Sequence, residues 1–347
     1  MRNSTLVLPP QKPISELDLG SKNWAYFAMD DGATTTTTAV ISNDGRANVL
    51  NDFAISGTLG TFWSDRLGFA SPNGTAYAQS LLSANPGLAN VCEMKGNTLL
   101  IGFTALINDS KDPTQYIMYM GGGSGGTSTG LQIRRTLNLD IIQGLFFDSS
   151  GTFVSTGTTK MGKKYSVSGI TTGTTPTVTT TADHNLRVGD WVFLSNTNST
   201  PVVDGMYQVV TVPTATTFTI ATVNITAAAT TGNVGPEWYV FCVIDGVNNE
   251  AQWHVIQKGT VDANSSTLLS LAALDATGLD FAGGINPNLT FFANRNTSNV
   301  LSTGQFRRFL FVNYGPKTAT EAMPTLTSKL LPALANADLV PVWELEA

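Results

Sequence analysis

Apolar and polar residues alternate with period two along most of this chain, in short runs closed by Gly, Asn or Asp. Successive side chains of a strand point to opposite faces, so this alternation predicts half-buried β-strands. The first run is WAYFAM, followed by an Asp-Gly turn and an extended Thr-rich stretch, and Asn43-Asp44-Gly45 is a strong turn signal. NVCEM, NTLLIGFTALI, QYIMYM, GLQIRR and DIIQGLFFD come next, and EWYVFCVIDG, AQWHVIQKG, STLLSLAAL, LTFFANRN and FRRFLFVNYG lie after residue 236. Short strands with turn signals every 8–12 residues or so predict an all-β, antiparallel sandwich or barrel. A helix is expected only in TATEAMPTLTSKLLPALANA, with Thr318 or Thr320 as cap near Glu321 and with Pro324 and Pro332 confining it to short pieces. ADLVPVWELEA reads as a closing strand.

One stretch breaks the pattern. From Ser166 to Pro236 the chain is Thr-rich and holds its own set of short strands, while the strands on either side read as two parts of a larger β domain. The expected organisation is an extended N-terminal arm at 1–20, the first part of a sandwich at 21–166, an inserted small β-barrel at 167–236, and the second part of the sandwich with a short helix and closing strand at 237–347. Pro9, Pro10 and Pro13 deny the arm a regular ladder. Docking on another subunit and folding back are both open to it.

Composition changes the picture mainly by exclusion. Hydrophobic residues make up 42% of the chain and charged ones only 13%, about half the usual share, with Thr, Ser, Asn and Gly in their place. The net charge is −6 and the basic residues form only isolated doublets, Arg134-Arg135, Lys163-Lys164 and Arg307-Arg308, which argues against a nucleic-acid partner. No run of about 18 apolar residues is present, so no helical membrane insertion is expected. MRNSTLVLPPQKP has neither a long apolar core nor a cleavage site, so synthesis in a cytoplasm without secretion is expected. Cys92 and Cys242 sit in apolar runs and read as buried thiols, with a disulfide between them left open.

Little in the chain suggests catalysis. GxSxG, HExxH and CxxC are all absent, and GGGSGGTSTG at 121–130 reads as a hairpin connection rather than a phosphate loop. His184 and His254 lack a local partner pattern; the first reads as a structural turn residue and the second as a sheet-face residue. Asp30, Asp31 and Asp245 stand at turns, where Asp bonds the local backbone, and calcium is the alternative there. No enzyme activity, cofactor or metal is expected. Trp63, Trp191 and Trp253 are the candidate glycan contacts, weighed against core packing.

Without the interruption, the order of the pieces resembles the concanavalin A-like, laminin-G-like jelly roll. WAYFAMDDG then SNDGRANVL matches its opening, NTLLIGFTALI with YIMYMGGG its middle hairpin, and EWYVFCVIDGVNNEAQWHVIQKG its Trp-led hairpin. The resemblance implies a sandwich of the kind that binds glycans or proteins. It also makes KKYSV and EWYVFCV neighbours in one sheet. The family's hydrolases carry ExDxE, which is absent here.

The interrupting segment is similar to a small β-barrel found in the first catalytic-cysteine half-domain of ubiquitin-activating enzymes and in phage tail and virion proteins. The pattern is a Thr-rich strand PTVTTT, then His184-x-Leu186 with Gly189-Asp190 and WVFLSN, then Asp204-Gly205-x-Tyr207, then TTFTIA. The ubiquitin-pathway function is set aside because no adenylation domain is recognisable. The resemblance implies a bacteriophage virion protein: a capsid-decoration, head-fibre or tail component that binds other virion proteins as a homo-oligomer, with a trimer frequent in such appendages. The alternative is a receptor-binding appendage whose jelly roll grips a host cell-surface glycan.

Overall fold

A computed structural model of the chain describes residues 12–13, 23–27, 40–41, 53–56, 77–82, 85–106, 115–122, 129–136, 141–155, 159–160, 165–257, 263–274, 279–280, 287–291, 305–331 and 339–340. Asp30, Asp31 and Trp63 lie outside them. The strands, in chain order, are β1 (Lys12–Pro13), β2 (Asn23–Phe27), β3 (Val40–Ile41), β4 (Phe53–Ser56), β5 (Tyr77–Leu81), β6 (Thr98–Leu106), β7 (Gln115–Gly122), β8 (Thr129–Thr136), β9 (Ile141–Phe147), β10 (Phe153–Ser155), β11 (Thr159–Lys160), β12 (Tyr165–Ile170), β13 (Thr177–Thr180), β14 (Trp191–Ser195), β15 (Gly205–Thr214), β16 (Thr217–Ile220), β17 (Asn233–Asp245), β18 (Glu250–Gln257), β19 (Ala263–Ser265), β20 (Leu269–Ser270), β21 (Asn288–Phe291), β22 (Gln305–Asn313) and β23 (Leu339–Val340). Two short helices are α1 (Pro86–Cys92) and α2 (Ala319–Ala322), the latter followed by one π-helical turn at Leu326–Leu330.

Two antiparallel sheets face each other as a β-sandwich. One runs β10-β9-β8-β7-β21-β5-β4-β3, and the other carries β17-β6-β22-β2 with β18 on the far side of β17. Their facing sides interlock through a ring cluster: Phe291 lies 4.5 Å from Phe309 and 5.9 Å, edge-on, from Phe27, and Phe103 stacks on Phe309 at 5.4 Å. Offset and edge-to-face rings add to the area they bury. Cys92 and Cys242 are both free thiols buried in this core.

The second sheet is apolar on its outer side as well. Leu100, Tyr239, Phe241, Val243, Leu310 and Val312 form a second cluster there, with Met323 and Leu331 from the C-terminal helical stretch packed over them. β6 is consequently buried at every position. Thr318 starts α2 through a capping box with Glu321, as the sequence suggests, and Asp245 accepts from the Ala319 amide at 2.7 Å to pin the helix to the sheet.

Residues of the interrupting segment pack around a third apolar cluster that includes Val178, Leu186, Val192, Val209, Phe218 and Ile220. The ladder runs β12-β13-β16-β15-β14-β17, and β12 also pairs with β17 at Tyr165↔Val234 and Ser166↔Asn233. Those six strands therefore close on themselves as a barrel, which leaves no free edge. β17 belongs to both bodies: Asn233–Pro236 pair with β14, Glu237–Asp245 with β6 and Trp238–Asp245 also with β18.

The structure corrects three expectations. NTLLIGFTALI and YIMYMGGG are not a hairpin, because β6 pairs with β17 and β22 in one sheet while β7 pairs with β8 and β21 in the other. EWYVFCV has β6 and β18 as neighbours, and the KKYSV strand meets only the residues just before it. NVCEM is not a strand: Asn85 caps α1 by accepting from the Leu88 amide, and Pro86 occupies the first turn, where its missing N–H costs nothing. Finally, β1 pairs in parallel with β23 of the same chain, Lys12 opposite Leu339.

Candidate functional site

The barrel's signature residues all take structural positions. His184 accepts at Nδ1 from the Leu186 amide at 2.9 Å, and its ring stands edge-on to Phe218 at 5.2 Å. Gly189 has φ +90°, and the Asp190 carboxylate accepts from the Arg187 amide at 2.7 Å, closing the turn into β14. The Asp204 carboxylate accepts from the Asn196 and Thr197 amides and from the Thr197 hydroxyl, which ties the β14 end to the start of β15. These residues fold the barrel and leave it without an obvious reactive group.

One side chain joins the barrel to the sandwich. Gln257, at the end of β18, accepts from the Tyr165 hydroxyl at 2.6 Å and donates to the His184 carbonyl at 2.8 Å. Both halves of a buried amide are thereby used, and each partner belongs to the barrel. Beside this joint Leu106 and Met206 pack with Trp191 and Phe193.

The candidate glycan contacts fare differently. Trp253 is fully buried in the sandwich core, with its backbone amide on the Ser266 hydroxyl, so no sugar reaches it; the expectation is corrected by its inward register next to Ala251 and Val255. Trp191 is half-buried at the joint. Trp63 is among the residues not described.

The outward side of the first sheet is polar. Gln79, Thr290, Tyr119 and Gln132 lie in one cross-strand row, with Gln79 donating to Thr290 at 3.1 Å and Thr290 to Asn288 at 2.8 Å. The middle of this row is buried. Gly121 and Gly130 pair beside it: a Cβ on Gly121 would sit 1.8 Å from the Thr129 carbonyl, and Gly130 holds φ +109°. Tyr119 crosses this gap and donates to the Thr129 carbonyl at 2.8 Å.

Towards β10 the face opens. Arg134 is half-buried and donates from Nε and Nη2 to Gln143 Oε1 at 2.9 and 2.7 Å. Tyr116 stands opposite Arg134 in the ladder. Further along, Phe147 and the 61%-exposed Phe153 lie 6.3 Å apart. Sequence reasoning missed this group because it is assembled across strands whose register only the fold sets. The alternation in GLQIRR and DIIQGLFFD was the available signal.

Among the described residues, the resolved shifts of the thiols and histidines follow burial. Burial pushes the Cys92 and Cys242 thiols upward, and it pushes His254 down to about 4. His184 is also lowered, chiefly by burial. The Asp245 carboxylate is occupied by the Val247, Asn248 and Ala319 amides, which is turn and cap chemistry. Among the described residues no three His, Cys, Asp or Glu side chains group as a metal site, and no helix is long and apolar enough to cross a membrane. A cleft of about 330 Å³ lies between the β17–β18 turn and α2, lined by Val243, Asn248, Glu250, Leu268, Thr320 and Met323.

No family model matches the chain, and no curated protein matches its sequence. Solved structures do. The binding domain of botulinum neurotoxin serotype D matches at 8% identity and a TM-score of 0.44, over 89% of this chain and 52% of that one, so the chain spans about half its length. A carbohydrate-binding module of a Ruminococcus gnavus sialidase, bound to α2,6 sialyllactose, matches at 11% identity and 0.35, over 76% of this chain and 96% of the module. Tailspike protein 2 of the Escherichia coli O157:H7 bacteriophage CAB120 matches at 11% identity and 0.34, over 78% of this chain and 25% of the tailspike. The structural neighbours thus include phage tailspike and carbohydrate-binding domains.

Proposed function

We propose that the chain is a bacteriophage virion component, a tail, fibre or decoration protein that acts by assembly with other virion proteins. The observation that carries this reading is the barrel. His184, Leu186, Gly189, Asp190, Asp204, Gly205, Tyr207 and Phe218 are the residues on which its likeness to phage modules rests, and the turns and core of a closed six-stranded body are built from them. A module without an obvious reactive group, joined to a sandwich through β17 and Gln257, offers surface, and surface suits assembly. The reading assigns the chain no catalysis. Mass spectrometry and immunogold labelling of purified particles test it: the protein is expected at a fixed stoichiometry on the particle, and its absence from washed particles would sink the reading.

A second reading, receptor binding, is favoured by the open part of the first sheet's outward face. Arg134, Gln143 and Tyr116 supply planar polar groups there, and Phe153 supplies an exposed ring. Sugars need that combination, hydroxyl partners beside an apolar plate. A glycan array probed with the whole protein tests it, and signals at background on every glycan would remove it.

A further inference from the structure

We infer that the Arg134–Gln143 pair is the anion seat of a subsite for a carboxylate-bearing saccharide, with Phe153 as the platform for a neighbouring sugar. The inference rests on the receptor-binding reading and adds to it the class of glycan.

The argument begins with the arginine's partner. Arg134 projects from β8 on the outward face, opposite Gln143 on β9. Among the described residues its side chain makes two hydrogen bonds, both to Gln143 Oε1. That acceptor is neutral, so the guanidinium charge is not cancelled. A guanidinium carries five N–H donors, and two are spent, leaving three. The amide fixes the plane of the fork without competing for a second acceptor, which is how a bidentate carboxylate site is held ready.

The described surroundings hold no acid to answer the charge. The described outward positions of this sheet are Tyr77, Gln79 and Leu81 on β5, Asn288 and Thr290 on β21, Tyr116, Tyr119 and Gly121 on β7, Gly130 and Gln132 on β8, Gln143, Leu145 and Phe147 on β9, and Phe153 and Ser155 on β10. None of these is acidic. Asp148, just past β9, spends its carboxylate on Ser150 and Thr152. The chain as a whole carries −6, so a cation with no acidic neighbour among the described outward residues of this sheet is a local reversal of its charge.

The spacing makes the ligand more than a lone anion. Gln143, Leu145 and Phe147 alternate onto the same face, and four residues at about 3.3 Å each put the aromatic pair some 13 Å from the arginine. Phe153, paired with Phe147 in the ladder, shows 61% of its surface. An oligosaccharide with its acidic unit on Arg134 reaches this ring with a later unit, passing over the row of Leu145 and Ser155.

The test is a titration of the full chain with a tetrasaccharide ending in glucuronate and with its glucose-ended counterpart. The acidic sugar is expected to bind at least about tenfold more tightly, with the preference falling as salt screens the pair. Arg134→Met is expected to erase the preference and leave neutral-sugar binding within about twofold. Gln143→Glu supplies an internal anion without touching the arginine and is expected to erase it too, which covers the case in which Arg134→Met fails to fold. Phe153→Ala is expected to weaken both sugars alike. Equal binding of the two sugars, or a preference that survives Arg134→Met and Gln143→Glu, overturns the acidic subsite and leaves glycan binding standing. Binding of neither sugar overturns both.

Discussion

Barrel strands such as β13 and β16 alternate half-buried with buried positions, whereas β6 is buried at all nine of its positions and β17 at twelve of thirteen. The difference follows from how many faces each body must hide. A closed barrel hides one face and shows the other, so its outer positions carry threonines such as Thr177, Thr211 and Thr219, and the Thr211 and Thr219 hydroxyls bond each other across the strands. The central sandwich sheet hides two faces, one against the first sheet and one beneath the C-terminal helical stretch. Period two is therefore a complete description of the barrel and an incomplete one of the sandwich. A strand apolar on both sides does not announce which way it faces or whom it pairs with.

Cutting the two bodies apart is the largest perturbation. Replacing 168–235 with a short Gly-Ser linker is expected to leave a sandwich that unfolds in one cooperative transition by calorimetry, and loss of cooperativity would show that the sandwich needs the barrel. Single core truncations come next. Phe291→Ala and Phe218→Ala each remove a fully buried ring and are expected to cost about 3–5 kcal/mol. Hydrogen exchange separates them: Phe218→Ala is expected to speed exchange within 177–231 and leave β7 and β8 protected, and uniform acceleration would mean that the bodies unfold together.

Acid acts on both bodies in the same direction. His254 in the sandwich titrates near 4 when folded and about 6.5 when unfolded, so between those values the unfolded chain binds the extra proton. Stability is fully present above pH 6.5 or so and falls by about 3 kcal/mol as pH drops to 4. His184 adds a barrel contribution of the same sign. His254→Gln should flatten the dependence of the urea midpoint on pH, and an unchanged slope would assign it to other groups. A smaller effect is expected at the joint. Gln257→Leu leaves the Tyr165 hydroxyl and the His184 carbonyl without this partner, at about 1–3 kcal/mol, and should pull the barrel and sandwich transitions apart. Smallest is Thr318→Ala, which removes the α2 cap for about 1 kcal/mol and should lower the melting temperature by a few degrees without touching the barrel.

Much of the barrel was legible because its signals are local. Gly189-Asp190 and Asp204-Gly205 each close a turn within a few residues, and His184 bonds two residues on. The capping box at Thr318 was legible for the same reason. Sandwich pairings were not, since β6 meets a strand more than a hundred residues away, and the apolar run in NTLLIGFTALI fits any central place equally well. α1 was missed although Asn85-Pro86 spells its cap and first turn, because the run after it looked like a strand. Trp253 stayed open between glycan contact and core because its apolar neighbours in sequence do not say which face they share. Arg134 and Gln143 stood in the sequence as unremarkable polar residues, and only the β8–β9 register makes them a pair.

β17 passes unbroken from barrel to sandwich, thirteen residues and about 43 Å of one rod. Its nine residues from Glu237 to Asp245 are bonded on both sides along most of that length. A pull on the barrel along this axis loads those bonds together, in shear, instead of opening them one after another from an end. The barrel is thus mounted like a blade on its tang, and force along the strand reaches the sandwich through that whole ladder.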